Sequence, residues 1–490
     1  MRTPRAYHSR ARMYDRRVSL PLLLTLAELG WILVAGVVIV MQRRSATATL
    51  AWLFALALLP LVGFIVYWLI GPQRLSRKKL RRATSRDAVR VAMAGLAEAR
   101  TSAPDHARLS LIPMGSGEAP PLPARDLQPF FDGASAYAAI CAAIEAAQHH
   151  VHIEYYIWEP DGIGTRLRDL LIAKAKAGVE VRLVVDATGS AGLKRGWRRP
   201  LRAAGVEFAW FNPITFKFWR RRRADFRTHR KIVVCDGVVG FTGGMNVADA
   251  HSAEFGPGYW RDTHLGFAGP AVAALQRAFL EDWAYARGTL PTLDTAYFPV
   301  EDLGQLGDHD ALQVVGSGPD DPAYAVYRTY FAAITAARHR LWITTPYFIP
   351  DDAIMTALQV AALARVDVRV LVPKRGDSAV VDLAARSYFA ELLAAGVKIY
   401  EYEPRFIHAK TMVVDDDLAI VATANLDNRS FRLNFEVVAL VYGAALNARL
   451  ARAFIDDLEH ARPVALADLD RQSFRRRLGQ ASARLLSPLL

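Results

Sequence analysis

The sequence predicts an α/β protein with two similar domains, related by duplication, that follow an amino-terminal hairpin of two membrane helices. An internal repeat indicates the duplication: residues 142–147 recur as 332–337, an offset of 190. Within each repeat, helical stretches alternate with short apolar strands, a pattern typical of α/β layers. A period this long exceeds that of a solenoid and fits a duplicated domain. Two long apolar runs near the amino end predict the hairpin.

The apolar runs cover residues 20–41 and 46–70, and each is long enough to cross about 30 Å of hydrocarbon as a helix. The link between them, residues 42–45, leaves room only for a hairpin. Six Lys and Arg residues precede the first run, and seven more lie between Arg74 and Arg86. The positive-inside rule therefore places both ends and the remaining body on the cytoplasmic side of the inner membrane.

The positive charge of the chain is confined to its amino end. Residues 1–86 hold 15 Lys and Arg against two acidic residues, which equals the net charge of +13 for the whole chain. The other 404 residues are balanced, which argues against a nucleic-acid-binding body and suits contact with anionic membrane lipid. Only two cysteines are present, which is consistent with a reducing compartment.

The order of elements predicts the domains. Each half contains helix, strand, helix, strand, helix and strand before a further strand that carries a polar motif; the stretch 165–177, for example, reads as a helix that ends at Gly178. The tail is amphipathic and either packs on the body or lies on lipid. The predicted segments are a basic amino terminus (1–18), the hairpin (19–70), a basic juxtamembrane segment with a Pro-rich linker (71–128), two α/β domains (129–300 and 301–463) and the tail (464–490).

The motif is His-x-Lys-x4-Asp, which occurs at His229, Lys231 and Asp236 and again at His408, Lys410 and Asp415. Asn246 and Asn425 both lie 17 residues past their histidine. Each half thus supplies an imidazole, an ammonium and an amide, which are the groups that handle a phosphate. Neither half has a complete acid–base pair, so the pattern predicts one site at the junction of the two repeats.

These residue types suit phosphoryl chemistry. A neutral imidazole attacks phosphorus directly, and a protonated one donates to the departing oxygen. Lys231 and Lys410 would neutralise the non-bridging oxygens, and Asn246, Asn425 and the Thr423 hydroxyl would add hydrogen bonds. No carboxylate cluster with the spacing of a divalent-ion site accompanies the histidines, so we expect neither a metal nor a cofactor. We interpret the tract His149, His150 and His152 as structural.

This constellation resembles the phospholipase D superfamily over residues 130–460, and most closely its bacterial cardiolipin synthases. The resemblance extends to the two-span hairpin and to long strings at residues 226–232, 243–246, 259–264, 346–350, 387–389, 396–402 and 424–436. It implies two phospholipase D-type α/β sandwich domains that pair their motifs at one cleft.

The resemblance also implies roles for further residues. In the superfamily an acidic residue on the strand after the motif orients each catalytic imidazole, and Asp262 and Glu436 match those places. Gly244 belongs to the phosphate-binding set, while Asp236 and Asp415 have either a direct role or a supporting one. The segment 216–223, aromatic and basic, is either a membrane-interface loop or a solvated loop.

The activity that the resemblance implies is phosphatidyl transfer between two phosphatidylglycerol molecules, which forms cardiolipin and glycerol. His229 would form a phosphohistidine and His408 would act as acid and then base, although the sequence also allows the reverse assignment. The alternatives are a different donor such as phosphatidylethanolamine, a hydrolytic phospholipase D, a superfamily endonuclease or an inactive scaffold. The neutral body argues against nucleic acid as a partner. The sequence does not indicate the oligomeric state.

Overall fold

The computed structural model describes residues 20–41, 46–59, 62, 63, 67, 106–213, 225–289, 294–300 and 310–490. These residues form two compact units, which divide the chain after Arg74. The predicted hairpin link at 42–45, the juxtamembrane residues 71–105 and the aromatic–basic segment 216–223 lie outside the described residues.

The first unit contains helix α1 (Leu20–Val40) and helix α2 (Ala46–Leu58). Ala35 and Ile39 of α1 are buried together with Leu56 of α2, so the two helices contact each other through small and branched apolar side chains. Among the residues described, none of the helices reaches the length and apolar character that a membrane span requires.

The second unit is built from helices and strands in the order that the repeat predicts. Its helices are α3 (Leu111–Gly115), α4 (Gly133–Ala146), α5 (Gly162–Lys176), α6 (Arg195–Ala203), α7 (Val272–Arg287), α8 (Ala325–Ala336), α9 (Asp352–Leu363), α10 (Ala379–Arg386), α11 (Phe389–Ala394), α12 (Asn428–Arg432), α13 (Ala444–Leu458), α14 (Leu466–Asp470) and α15 (Phe474–Arg484). Short 3-10 turns lie at Ala107–Ser110, Asp249–His251, Ala253–Phe255 and Thr295–Tyr297.

The strands are named in chain order. They are β1 (Leu122–Phe130), β2 (His150–Tyr155), β3 (Glu180–Asp186), β4 (Glu207–Phe211), β5 (Arg227–Thr228), β6 (Ile232–Cys235), β7 (Val239–Gly243), β8 (His264–Ala268), β9 (Asp310–Ser317), β10 (Arg340–Thr344), β11 (Phe348–Ile349), β12 (Asp367–Pro373), β13 (Lys398–Tyr402), β14 (Thr411–Val414), β15 (Leu418–Ala422), β16 (Leu426–Asp427), β17 (Asn434–Tyr442) and β18 (Ala461–Pro463).

One continuous mixed sheet joins the two repeats. From the middle outwards the first half has the order β1-β8-β7-β6-β2-β3-β4, and the second half has the matching order β9-β17-β15-β14-β10-β12-β13. The halves meet where β1 pairs antiparallel with β9, with Leu122 opposite Leu312. The duplication and the alternation of helices and strands are therefore confirmed, and the boundary between the repeats is a strand pair within one sheet.

The predicted linker is wrong in its last part, because residues 122–128 belong to β1. The closely placed prolines argue against a central strand. The strand nevertheless forms, since Leu122 and Ala124 are buried and a register shift between Arg125 and Gln128 relieves the pairing with β8. Residues 106–121 also pack on the body, for example through buried Leu109.

Helices cover both faces of the sheet. Helices α7 and α13 pack on one face, where they contribute to a single core that spans the two halves. On the other face α4 and α5 cover the first half, while α8 and α9 cover the second. Gly178 follows α5 with a φ of 91°, which agrees with the predicted end of that helix.

The histidine tract at the start of β2 is part of this packing. His150 and His152 are buried, and their ring nitrogens contact the side chain of Gln276 on α7. The His152 ring stacks on Phe279 with centroids 4.6 Å apart. Burial lowers the pKa of His150 to about 3, which fits a neutral, structural imidazole.

Candidate active site

The two motif histidines meet in one cavity between the halves of the sheet. Its volume is about 350 Å³, and His229 and His408 both line it together with Asn246 and Asn425. Both imidazoles are largely buried, yet each presents an edge to this space. The structure therefore brings together the parts of the predicted site that the two repeats supply separately.

Each histidine is held by the backbone of the other half. The His229 N–H donates to the Phe435 carbonyl at 2.9 Å, and the His408 N–H donates to the Arg261 carbonyl at 2.7 Å. Strand β5 accordingly pairs in parallel with β17, the strand that carries Glu436. These exchanged hydrogen bonds fix both motifs across the junction of the repeats.

The orienting carboxylates are exchanged in the same way. His229 Nδ1 lies 3.1 Å from the Glu436 carboxylate and 3.0 Å from the Thr423 carbonyl oxygen. His408 Nδ1 lies 2.7 Å from Asp262 Oδ2. Because these partners only accept hydrogen bonds when the carboxylates are ionised, each Nδ1 carries a proton. The remaining nitrogen of each ring, Nε2, is the one left for chemistry in the cavity.

Burial controls the charge of these imidazoles. It lowers the pKa of His229 to about 4 against the opposing effect of Glu436, with Lys231 and Lys410 lowering it further. Burial and Lys410 also hold the pKa of His408 well below its usual value. Burial alone would raise the pKa of Asp262, but its contacts with His408 and His251 and the nearby Lys410 hold it well below its usual value. Before an anion binds, both histidines are therefore neutral near pH 7.

The motif lysines lie directly behind the histidines. Lys231 Nζ donates to the His229 carbonyl at 2.7 Å, and Lys410 Nζ donates to the His408 carbonyl at 2.6 Å. Burial lowers the pKa of Lys231 to about 7, with Lys410 adding to the shift, and burial lowers the pKa of Lys410 to about 8. Both lysines are buried, and neither is among the residues that line the cavity.

The motif aspartates do not line the cavity, so of the two roles that the sequence allowed, direct and supporting, the structure favours the supporting one. Asp236 accepts hydrogen bonds from the backbone N–H groups of residues 148–150, and Asp415 does the same for residues 338–340. Each lies at the far end of a four-residue strand, about 13 Å from the start of that strand. Both carboxylates fix the connection between a helix and a strand.

Two other predicted contacts differ from the expectation. The Thr423 hydroxyl donates to Glu436 at 2.5 Å, so it orients a carboxylate and is not directed at a phosphate. At Gly244 a Cβ atom would lie 2.0 Å from Asp262 Oδ1. That glycine is therefore required by the close approach of Asp262, and it makes room for the partner of His408.

His251 is a site residue that the sequence did not reveal. Its Nδ1 lies 3.4 Å from Asp262 Oδ2, and its Nε2 accepts the Asn246 N–H at 3.3 Å. In the second half, Ser430 Oγ accepts the Asn425 N–H at 3.0 Å. Both acceptors follow their asparagine by five residues, but their different side chains conceal this part of the repeat.

The side chains of His251, Asp262 and His408 bring three potential ligand atoms within 4.8 Å of one another. A metal would need a free electron pair on His408. The His408 Nδ1 donates its proton to Asp262 instead. We therefore describe Asp262 as the residue that orients His408, with His251 Nδ1 3.4 Å from the same carboxylate oxygen.

Aromatic and aliphatic side chains complete the cavity. The Tyr156 ring lies 5.0 Å from that of His229, and the Trp260 ring lies 5.2 Å from that of His408, measured between centroids. Leu489 and Leu490, from the end of the tail, line the same space. Apolar side chains thus form part of the cavity wall, and polar side chains such as Ser378 and Asn434 form the rest.

Family comparisons agree with the motifs. Residues 140–254 and 330–458 match the family model described as "Cardiolipin synthase, PLD-like domain". Residues 30–72 match the model described as "Phospholipase D-nuclease N-terminal". The first model thus covers both repeats, and the second covers the region of α1 and α2.

The chain is similar along nearly its whole length to curated proteins. It is 42% identical over 463 residues to a cardiolipin synthase of Geobacillus thermodenitrificans, covering 92% of this chain and 91% of that protein. It is 39% identical over 468 residues to cardiolipin synthase 1 of Bacillus cereus, again covering 92% and 91%. The crystal structure of a phosphatidylserine synthase from Haemophilus influenzae shares the fold, with a TM-score of 0.58 and 14% identity over 75% of this chain and 97% of that one.

Proposed function

The chain belongs to the cardiolipin synthases of the phospholipase D superfamily, and we propose that it transfers a phosphatidyl group between two phosphatidylglycerol molecules through a phosphohistidine. The observation that carries this mechanism is the pair of imidazoles in one cavity, each tied through Nδ1 to a carboxylate from the other half. One nitrogen on each side is thereby free to act, one as nucleophile and the other as acid and base.

In the first step, His229 Nε2 attacks the phosphorus of one phosphatidylglycerol. A P–N bond forms, the P–O bond to the headgroup glycerol breaks, and His408 Nε2–H gives its proton to that oxygen. The products are a phosphatidyl–His229 intermediate and free glycerol. Burial lowers the pKa of His229, which keeps the attacking ring neutral, but it does the same for His408, so the choice of His229 as nucleophile follows the superfamily assignment and not the pKa.

In the second step, the headgroup of another phosphatidylglycerol enters. Neutral His408 takes the proton from its terminal hydroxyl, the oxygen attacks phosphorus, and the P–N bond to His229 breaks. Cardiolipin leaves, and both histidines return to their starting state. The same group thus serves as acid and then as base, which requires no outside reactant.

Binding of the substrate is the step at which His408 gains the proton that it needs to act as an acid. His408 is neutral in the empty cavity, but it must be protonated when glycerol leaves. A phosphodiester anion beside the ring favours the imidazolium and raises its pKa, as it does for Lys231 and Lys410. Asn246 and Asn425 line the cavity, and we propose that they and the two buried lysines stabilise the charge that develops on the non-bridging oxygens.

We further propose that residues 19–70 form the two-span hairpin, with both ends and the catalytic unit on the cytoplasmic side of the inner membrane. The support is the apolar composition of residues 20–41 and 46–70, the flanking basic residues and the match of residues 30–72 to a phospholipase D-type amino-terminal model. Phosphatidylglycerol and other anionic lipids are then the natural partners of the basic residues between Arg74 and Arg86.

The test is a product balance with purified protein and vesicles of phosphatidylglycerol alone. We expect glycerol and cardiolipin in equal amounts, and an acid-labile phosphatidyl adduct on His229 after rapid quenching. His229→Ala and His408→Ala should each abolish turnover. Phosphatidic acid as the main product would identify a hydrolase, and an adduct on His408 would reverse the two roles.

A further inference from the structure

Helix α15 turns its apolar side chains away from the protein. Phe474 and Leu478 of α15, and Leu485 directly after its last residue, are 70%, 54% and 81% exposed. Their spacing of four and then seven residues puts them in one stripe along the helix. Three large apolar side chains in a row on a solvent-facing stripe are unusual for a helix that packs on a globular core.

The opposite side of the helix makes the contact with the body. Gln480 and Ala483 are its buried residues, and Ala483 belongs to the core beneath α10. On a helical projection these two positions lie roughly opposite the apolar stripe. Of the two arrangements that the sequence allowed for the tail, the structure shows packing on the body, through the side with small and polar residues.

Arginines border the stripe on both sides. Arg475 and Arg477 are exposed and flank Phe474 and Leu478, while the helix contains no acidic residue. A basic helix with an exposed apolar stripe matches the composition of helices that lie in the surface of an anionic bilayer. We propose that α15 docks on an anionic phospholipid surface, with its stripe inserted at the boundary between headgroups and acyl chains.

The positive charge of α15 favours an anionic bilayer over the other partners that could cover the stripe. A second copy of α15 would bring arginines against arginines, and the segment between Arg74 and Arg86, with seven basic residues, would be repelled in the same way. A layer of phosphatidylglycerol headgroups satisfies both the arginines and the apolar side chains. The choice of a phospholipid bilayer rests on the proposed function, in which the substrate is a membrane lipid.

The chain connects this surface to the cavity over a few residues. After α15, Leu489 and Leu490 line the active-site cavity, and the Arg429 N–H donates to the Leu490 carbonyl at 2.9 Å. The Ser487 hydroxyl is fixed by a 2.8 Å hydrogen bond from Tyr388. Docking of α15 would therefore hold the cavity next to the lipid layer from which both substrates come.

The first experiment measures how deeply residue 478 of α15 lies in the membrane. The full-length chain carrying Cys141→Ser and Leu478→Cys is labelled with a fluorophore and reconstituted in phosphatidylglycerol vesicles. The matched control carries the label through Ile455→Cys on α13, which is also exposed but lies on the opposite face of the sheet. Lipids brominated on the acyl chains should quench the label at 478 and leave the label at 455 unchanged, whereas aqueous iodide should do the reverse.

Each outcome of that experiment decides the proposal. A label at 478 that iodide quenches and bromolipid does not would overturn it, because the stripe would face water. A label that neither agent quenches would also overturn it, since protein would then cover the stripe. If the wild type makes no cardiolipin but the label at 478 is quenched by bromolipid, the proposed function fails and the docking surface stands.

The second experiment separates docking from chemistry. Leu478→Glu should lower cardiolipin synthesis on vesicles about tenfold, since a negative charge in the apolar stripe weakens the binding of α15 to the bilayer. The same variant should keep its rate on short-chain phosphatidylglycerol dissolved in detergent, and Ile455→Glu should leave both rates unchanged. An unaltered rate of Leu478→Glu on vesicles contradicts the proposal. If this variant loses activity both on vesicles and in detergent, the quenching of the label at 478 decides.

Discussion

At the scale of single residues, the site depends on exchanged pairs. Glu436 serves the histidine of the first half, and Asp262 serves that of the second. The sequence identified the two histidines because the His-x-Lys-x4-Asp motif recurs, whereas Glu436 and Asp262, which lie 28 and 33 residues past the histidine of their own half, were identified through the resemblance to the superfamily. It did not identify which acid meets which histidine, because that depends on the antiparallel junction of β1 with β9. Nor did it reveal His251, whose counterpart Ser430 has a different side chain.

Glu436 and Asp262 should affect different steps of the reaction, because each orients a different histidine. Glu436→Gln and Asp262→Asn should each lower the turnover number by about 10²-fold or more, because the amide no longer enforces a proton on Nδ1. A phosphatidyl substrate with a nitrophenol leaving group should restore formation of the intermediate in Asp262→Asn but not in Glu436→Gln. A nitrophenolate leaves without being protonated, so formation of the intermediate no longer needs His408 as an acid but still needs His229 as the nucleophile. Equal rescue of both variants in rapid-quench assays would contradict the assignment.

The lysines should make anion binding dependent on pH. Burial places the pKa of Lys231 at about 7 and that of Lys410 at about 8, and a bound anion raises both values. Binding therefore takes up protons, so the affinity for sulfate should be greatest below pH 7 and should fall as the pH rises to 9. Isothermal titration calorimetry in buffers of different ionisation enthalpy measures the uptake. Lys231→Met should reduce both the uptake and the slope, and an unchanged slope would exclude this lysine.

At the scale of elements, the carboxyl-terminal tail forms part of the wall of the active-site cavity. Leu489 and Leu490 reach the cavity although they lie about 60 residues past Asn425 and outside both repeats. The amphipathic pattern predicted a helix here, and α15 is that helix. The pattern could not show which side would pack, because Gln480 and Ala483 do not look like core residues. The apolar residues that define the stripe are the exposed ones.

The wall formed by the tail should favour transfer over hydrolysis. Leu490→Ser should admit water to the phosphohistidine, so the ratio of phosphatidic acid to cardiolipin should rise several-fold. Leu486→Ser is the matched control, since Leu486 belongs to the same turn and is exposed at 44%. Mass spectrometry of the products measures both ratios. The same ratio in the two variants would show that the tail does not exclude water.

At the scale of the whole molecule, the repeats share one sheet and one central core. The alternating elements and the duplication were predictable because periodic apolar residues determine local structure. The prolines near β1 concealed the strand that joins the halves, and the motif spacing alone did not show that Asp236 and Asp415 brace the sheet far from the cavity. Long-range pairing and proximity in space were therefore the parts that the sequence left open.

The shared core also predicts the behaviour of a divided chain. Residues 1–304 and 305–490, produced separately, should be inactive, because each histidine would lack its carboxylate and each half would expose part of the central core. Both fragments produced together should recover cardiolipin synthesis, since the cut falls between β1 and β9, the strands at which the halves pair. Activity in a fragment that size-exclusion chromatography shows to be monomeric would contradict the exchanged pairing. Size-exclusion chromatography of the mixture checks that the fragments associate.

The exchanged backbone bonds of His229 and His408 bear on the origin of the molecule. A primitive gene that encoded a single repeat would have produced a chain whose histidine and acid could not meet each other. Only a symmetric homodimer, joined edge to edge along the first strand, would have completed two equivalent pairs. In a fused chain the two halves need not stay identical, and the different acceptors at His251 and Ser430 are one place where they differ.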